Sequence, residues 1–149
     1  MKRNILFMFF LLPFIAMGQT YKYIGIEDGL SNRRIFNIQK DSKGYMWFLT
    51  NEGMDRYNGK EIKHYKLADE ENKRNAQNHL TWLFREKENL WIVGKTGKIF
   101  EYHHQFDRFI PTYKPANLSL SISYSYLDNR GNIWLCDQDS IILYNTQSF

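Results

Sequence analysis

Three tryptophans, Trp47, Trp91 and Trp134, stand 44 and 43 residues apart, and each lies in the same short pattern. Around the first, Asp41 to Tyr57 (DSKGYMWFLTNEGMDRY) combines a glycine turn, an aromatic-rich strand, a second glycine turn and another short strand. Trp91 sits in KENLWIVGKTGKIFEY and Trp134 in NRGNIWLCDQDSIILY. Gly53 and Gly97 fall six residues after their tryptophans, with Ser140 at that place in the third unit. Tyr57, Tyr102 and Tyr144 follow ten or eleven residues after them. Gly44 and Gly131 lie three residues before, where a two-residue hairpin turn needs a residue that tolerates positive φ. The second unit has Glu88 there, followed by Asn89, the best non-glycine occupant of such a turn.

Self-similarity at ~40–50 residues, with about four short strands per unit, is the pattern of β-propeller blades. A chain of 149 residues suits one domain, and 43% hydrophobic content with 17% aromatic residues suits pleated, half-buried surfaces. The expected fold is all-β: a partial β-propeller of about three four-stranded antiparallel blades, the last incomplete. Blade one spans about 30–66, with strands Arg34–Lys40, Met46–Thr50, Met54–Tyr57 and Glu61–Lys66, and an Asn58-Gly59 hairpin turn. Blade two spans about 80–110, with strands Leu80–Arg85, Leu90–Gly94, Lys98–Tyr102 and Phe106–Ile110, after which Pro111 and Pro115 mark a loop. Blade three spans about 121–149, with strands Ser121–Asp128, Ile133–Cys136 and Ile141–Tyr144. A short strand, Tyr21–Ile26, precedes the blades, and a polar linker, Leu67–Asn78, joins the first two. Rings close with at least ~4 blades, so a raw edge is expected.

Residues 1–19 form a separate leader. Lys2 and Arg3, the apolar run Ile5–Met17 and the small-x-small site Ala16-Met17-Gly18 make a secretory signal peptide, with Gln19 the first mature residue. An uncleaved anchor is the alternative, although the run is short for a bilayer. An exported, periplasmic location follows. No cysteine near the cleavage site supports a lipid anchor. Without Lys2 and Arg3 the net charge falls from +4 to +2, and the basic residues are mixed with acids, as in Lys66 to Arg74. No basic stripe for nucleic acid results, and that run reads as a solvated loop. Cys136, the single cysteine, excludes an internal disulfide or a cysteine metal cluster and reads as a small buried strand residue.

Catalytic patterns are weak. His103 and His104 are adjacent, so on a strand they point to opposite faces, which is wrong for joint metal ligation. His64 and His79 have no carboxylate partner assignable from spacing. Asp41, Asp128 and Asp139 read as caps of the turns they begin. No catalytic residue, metal or cofactor is expected, and the chain is not read as an enzyme. Asn117-Leu118-Ser119 reads as a chance sequon. The repeat tryptophans read as inter-blade core, whereas Trp82 either lines the axial mouth or packs there. A ligand surface would lie where the turns between second and third strands converge with the loops entering each inner strand. That selects Arg33, Arg34, Asn51, Glu52, Lys95, Thr96, Asp137 and Gln138, with Trp82. Amides and charges of this kind suit a polar ligand such as an oligosaccharide, and equally suit solvated turns.

The stretch DGLSNRRIFNIQKDSKGYMWFLTNEGMDRYNG resembles the two-component regulator propeller repeats of the periplasmic sensor regions of hybrid histidine kinases of Bacteroidetes type. The family pattern is matched by Gly29-Leu30-Ser31, Asp41, Gly44, Trp47, Thr50, Gly53-Met54 and Tyr57-Asn58. Unit two lacks the Asp-x-x-Gly turn, and unit three has Cys136-Asp137 and Ser140 where the pattern has other residues. The resemblance implies an N-terminal fragment of a sensor that binds an extracellular polar ligand and signals through a membrane helix to a kinase, neither of which this chain contains. It also implies that Tyr21–Ile26 pairs into a closing blade. The remaining blades or a second copy of the chain are the expected partners. The competing reading is an exported structural or protein-interaction propeller without a small ligand; an exported enzyme comes third.

Overall fold

Successive side chains on a strand point to opposite faces. In each repeat both faces carry apolar residues, which a sheet can bury only when stacked between two others. The computed structural model describes residues 20–67, 80–113 and 120–147. They form three antiparallel meanders, each strand paired with its neighbours in sequence. Blade one contains β1 (Ile35–Lys40), β2 (Met46–Thr50), β3 (Gly53–Tyr57) and β4 (Ile62–Tyr65). Blade two contains β5 (Leu80–Glu86), β6 (Asn89–Gly94), β7 (Ile99–His103) and β8 (Arg108–Tyr113). Blade three has β9 (Tyr124–Leu127), β10 (Asn132–Cys136) and β11 (Ile141–Asn145). The fold is the partial β-propeller that the repeat implies. The leader 1–19, the run 68–79 with His79, and the segment with Pro115 and the sequon lie outside the described residues.

Calling the tryptophan-bearing face of each sheet its front, the blades stack front to back. Trp47, Leu49, Met54 and Tyr65 on the front of blade one pack on Leu83, Leu90, Ile92, Phe100 and Tyr102 on the back of blade two. Trp91, Val93 and Ile99 on the front of blade two pack on Ile122, Ile133, Leu135 and Tyr144 of blade three. Trp47 is 0% exposed and Trp91 2%. A buried tryptophan removes ~150–250 Å² from water, about 4–6 kcal/mol of hydrophobic stabilisation at ~25 cal/mol/Å². Trp134 departs from the expected inter-blade burial and is 37% exposed, because no sheet among the described residues covers the front of blade three. Cys136, on that same front, is half-buried rather than buried.

The indoles are tied to turns. Asp41 accepts from the backbone N–H of Lys43 and Tyr45, both at 2.9 Å, and from Trp47 Nε1 at 2.8 Å. Gly44, at φ +88°, donates to the Asp41 carbonyl at 3.2 Å and closes a wider turn than the expected two-residue one. Unit three repeats this arrangement. Asp128 accepts from Arg130 N, Asn132 N and Trp134 Nε1 at 2.8–2.9 Å. Bonds from Asn132, joined by those from Trp134 and Arg130, hold its carboxyl well below the usual range.

Unit two departs from the pattern. Lys87 and Glu88 make its turn, and positive φ falls on Lys87 (+52°), not on Asn89, which is already in β6. Glu86, at the corresponding strand end, turns instead to blade three and accepts from Thr146 Oγ1 at 2.5 Å and Gln147 Nε2 at 3.3 Å. The buried Nε1 of Trp91 is left without a partner.

Three further expectations are corrected. Pro111 lies inside β8 rather than starting a loop; β8 is an edge strand, and a bulge at Ile99/Phe100 accommodates the missing N–H. Tyr21–Ile26 forms no strand, because no described strand lies beside it to share a ladder; the chain instead makes a 3-10 turn at Ile26–Asp28. Leu67, expected in the polar linker, is buried in the first core.

Both buried tryptophans lose similar apolar area on conversion to phenylalanine, but only at Trp47 does the change strip a bond from a buried carboxylate. Trp47→Phe is therefore expected to destabilise by about 1–2 kcal/mol more than Trp91→Phe in urea unfolding. Equal costs would contradict the assigned indole bonds.

Candidate functional site

The hairpin ends of the blades align. Arg85 Nη1 donates to the Lys40 carbonyl at 3.3 Å, and Glu86 meets Thr146 beside Gly131. The ends carrying Lys40, Glu86 and Gly131 thus lie together. The turns between second and third strands therefore occupy the opposite end, as do the segments entering each inner strand. That end carries Asn51 and Glu52, Lys95 and Thr96, Asp137 and Gln138, and Arg33 and Arg34.

Seven of these residues are exposed: Arg33, Arg34, Asn51, Glu52, Lys95, Thr96 and Gln138. The guanidinium of Arg34 lies 5.3 Å from the Phe36 ring centroid. Asp137 is half-buried, and its carboxylate accepts from Ser121 N at 3.1 Å, fastening the entry segment of blade three. The Lys95 carbonyl accepts from Ile122 N at 2.8 Å, which brings the blade-two turn against the entry of blade three. Trp82 is half-buried against the second core, the packing alternative of its two readings. This end offers donors, acceptors and two guanidinium groups to a polar ligand.

The first entry segment is fastened by groups that spacing did not reveal. Ser31 donates through N at 2.8 Å and Oγ at 2.9 Å to Asp55 Oδ2, and its Oγ lies 2.9 Å from Thr50 Oγ1. His64 Nδ1 lies 2.7 Å from Asp55 Oδ1, so His64 does have a carboxylate partner. The two residues face each other across β3 and β4, a pairing that only the register discloses. Asp55 is fully buried and its partners all belong to blade one and its entry segment, so the cluster pins Gly29-Leu30-Ser31 onto the back of blade one. The Ser31 hydroxyl bonds to Asp55 and Thr50 rather than to the imidazole, which is not a nucleophile–base arrangement. Asp137 is the counterpart of Thr50, each standing three residues past its tryptophan and holding an entry segment. Close to this cluster, a Cβ on Gly53 would come within 2.5 Å of the Tyr65 carbonyl at φ +134°, so only glycine fits.

A second unforeseen cluster sits between blades one and two, near the opposite end. Asp107 accepts from Arg56 Nη1 at 2.9 Å and Tyr65 Oη at 2.7 Å, and also from Tyr102 and Lys63. The Arg56 guanidinium stacks over the rings of Tyr45, Trp47 and Tyr65. Burial pushes the Asp107 carboxyl up, but the bonds from Lys63, Tyr102 and Tyr65 and the Arg56 charge outweigh it, and the group titrates well below its ordinary value. Burial first, then the bond to Asp107, pushes the Tyr102 phenol up to about 12. His103 lies 3.5 Å from Glu101, and His104 lies 3.2 Å from the Glu88 carbonyl. Among the described residues no group of three His, Cys, Asp or Glu side chains could hold a metal ion.

Residues 29–52 match the family model described as two component regulator propeller. They contain the Gly-Leu-Ser latch, Asp41, Gly44, Trp47 and Thr50, so the resemblance rests on the residues that build the entry pin and the indole turn. No curated protein matches the sequence. Among solved structures, the chain is similar to the extracellular domain of BT4673 of B. thetaiotaomicron, assigned to a one component system. The TM-score is 0.68 at 15% identity, covering 85% of this chain and 17% of that one. It is also similar to the extracellular domain of BT3049 of B. thetaiotaomicron, assigned to a hybrid two component system. Here the TM-score is 0.63 at 21% identity, covering 84% and 19%. The chain spans less than a fifth of either structure, and at these identities the likeness establishes the fold.

The depressed Asp107 carboxyl contributes stability above the unfolded value of ~3.9 that is lost as pH falls through the folded one. The raised Tyr102 phenol contributes below pH ~10 and loses this as pH rises through about 12. Asp107→Asn should lower the melting temperature at pH 7, and the gap to the parent protein should narrow towards pH 3. A gap that stays constant with pH would refute the assignment.

Proposed function

We propose that the chain forms the opening blades of an exported sensor propeller of a two-component signalling receptor. It recognises an extracellular polar ligand, an oligosaccharide, and its signal passes to a kinase outside this chain. The observation that carries the reading is the two component regulator propeller match over residues 29–52. The likeness to extracellular domains of signalling systems in the solved structures supports the fold and the exported setting. The leader at residues 1–19 fits the same setting.

The ligand would bind at the end bearing Arg33, Arg34, Asn51, Glu52, Lys95, Thr96, Asp137 and Gln138. Arg34 and Lys95 supply charge-assisted donors to sugar hydroxyls or acid groups, while Asn51, Thr96 and Gln138 supply neutral ones. Asp137 is already engaged by Ser121 and acts by fixing its turn. Trp82 acts from beneath by packing.

Calorimetric titration of the chain against a panel of neutral and acidic oligosaccharides tests this. Binding should appear for at least one, and Arg34→Ala or Lys95→Ala should weaken it more than tenfold, the effect of losing a charge-assisted bond of about 1.5–3 kcal/mol. Lys60→Ala, in the turn at the opposite end, should leave it unchanged. If no saccharide binds, or if Lys60→Ala weakens binding as much as Lys95→Ala, the exported interaction module without a small ligand is the better reading.

A further inference from the structure

The inner strands of blades one and two carry the same irregularity at the same place. In β1 the ladder to β2 shifts between Ile35 and Asn37, so Phe36 is an extra residue and shares Leu49 with Asn37 as its neighbour across the strands. In β5 the shift falls between Leu80 and Trp82, with Thr81 as the extra residue. Bulges of this kind re-aim a side chain and are common beside functional sites. Leu49 belongs to the front of its sheet, so Phe36 is turned to that side, where β1 runs beside β5, and not to the back of blade one. Phe36 joins neither core and remains 41% exposed, even with the Arg34 guanidinium 5.3 Å from its ring centroid. Stacking uses the flat face of a guanidinium and leaves its N–H edge able to fork onto a carboxylate. Among the described residues, neither Arg33 nor Arg34 gives its side chain to a hydrogen bond or an ion pair. Their backbone is held, since Arg34 N donates to Asn32 Oδ1 at 2.8 Å and Ser31 is pinned on Asp55.

We propose that Phe36 and Arg34 together form a recognition subsite for an acid-bearing saccharide, one that contains a uronate. The sugar ring lies against the exposed part of Phe36, while a carboxylate on the same or the adjoining unit takes the Arg34 fork. This rests on the sensor reading and narrows its ligand from polar saccharides in general to carboxylated ones. A pyranose has a face of C–H groups and a rim of hydroxyls, so it calls for an aromatic surface set among polar groups. The negative face of the ring attracts the slightly positive C–H hydrogens. Both groups stand on one pinned segment, so little ordering entropy opposes binding. The subsite is built from the entry segment and β1 where they meet blade two, and every part of it lies within the described residues.

Calorimetric titration of the full chain with matched disaccharide pairs tests it, one pair ending in glucuronate or glucose and the other in galacturonate or galactose. In at least one pair the acid should bind about tenfold tighter or more, as a charge-assisted fork provides. Arg34→Gln should bring that acid down to the affinity of its neutral partner. Phe36→Leu keeps an apolar side chain without the ring and should weaken both members of the pair about fivefold. Phe36→Tyr keeps the ring and should bind as the parent does. Phe36→Thr, which places at this bulge the residue type that blade two carries at its own, replaces Phe36→Leu should that variant lose the parent near-UV circular dichroism. Equal affinities within both pairs, or unchanged binding by the variant without the ring, would overturn this inference and leave the wider polar-ligand reading standing. Silence towards both pairs would overturn it too, and the wider reading falls with it only when the rest of the saccharide panel is also silent.

Discussion

Burial of one blade's tryptophan under the back of the next blade is the interaction on which the rest of this structure depends. A four-stranded meander with apolar residues on both faces cannot be stable alone in water, and the alternation along β2 and β6 makes both faces apolar. Trp47 and Trp91 fill the two gaps, and polar contacts flank each core. Asp107 gathers Arg56, Lys63, Tyr65 and Tyr102 beside the first core. Glu86 bridges to Thr146 and Gln147 beside the second. The conserved geometry of the indole turn in units one and three, and its loss in unit two, follow from where that strand-end carboxylate is spent: on its own indole in Asp41 and Asp128, and on a neighbouring blade in Glu86.

Much of this architecture is legible in the sequence. The tryptophan spacing discloses the number of blades, and the residues around it locate the strands to within a few positions. Asp41 and Asp128 cap their turns as their places before glycine indicate. What stays hidden depends on register and on neighbours. Asp55 and His64 are nine residues apart and become partners only once β3 and β4 are paired. Arg56 and Asp107 are 51 residues apart and meet only when two blades stack. Trp134 and Cys136 look like core residues locally, but their burial is decided by what covers their face. Pro111 reads as a loop marker because the local rule does not know that its strand is an edge.

The candidate site divides in the same way. The pattern places Arg33, Arg34, Asn51, Glu52, Lys95, Thr96, Asp137 and Gln138 at one end of the sheets, because equivalent turns of equivalent blades point the same way. It does not disclose that Asp137 is engaged by Ser121, or that Ser31, Thr50 and Asp55 lock the first entry segment. The two ends of the blades are accordingly unlike. One is tied by side-chain hydrogen bonds of Arg85, Glu86 and Asp107 between blades, and the other, crossed by the backbone bond from Ile122 to Lys95, leaves charged and amide side chains in solvent above pinned entry segments, which suits a polar ligand.

The blades stack front to back through the two tryptophan cores. Hydrogen exchange at the indole N–H of Trp47 and Trp91, followed by NMR, tests it most directly. Both indoles should exchange orders of magnitude more slowly than a free indole, since each is reached only by opening an inter-blade core. Exchange of either at the free-indole rate would mean that its core is not formed and that the blades do not stack as described.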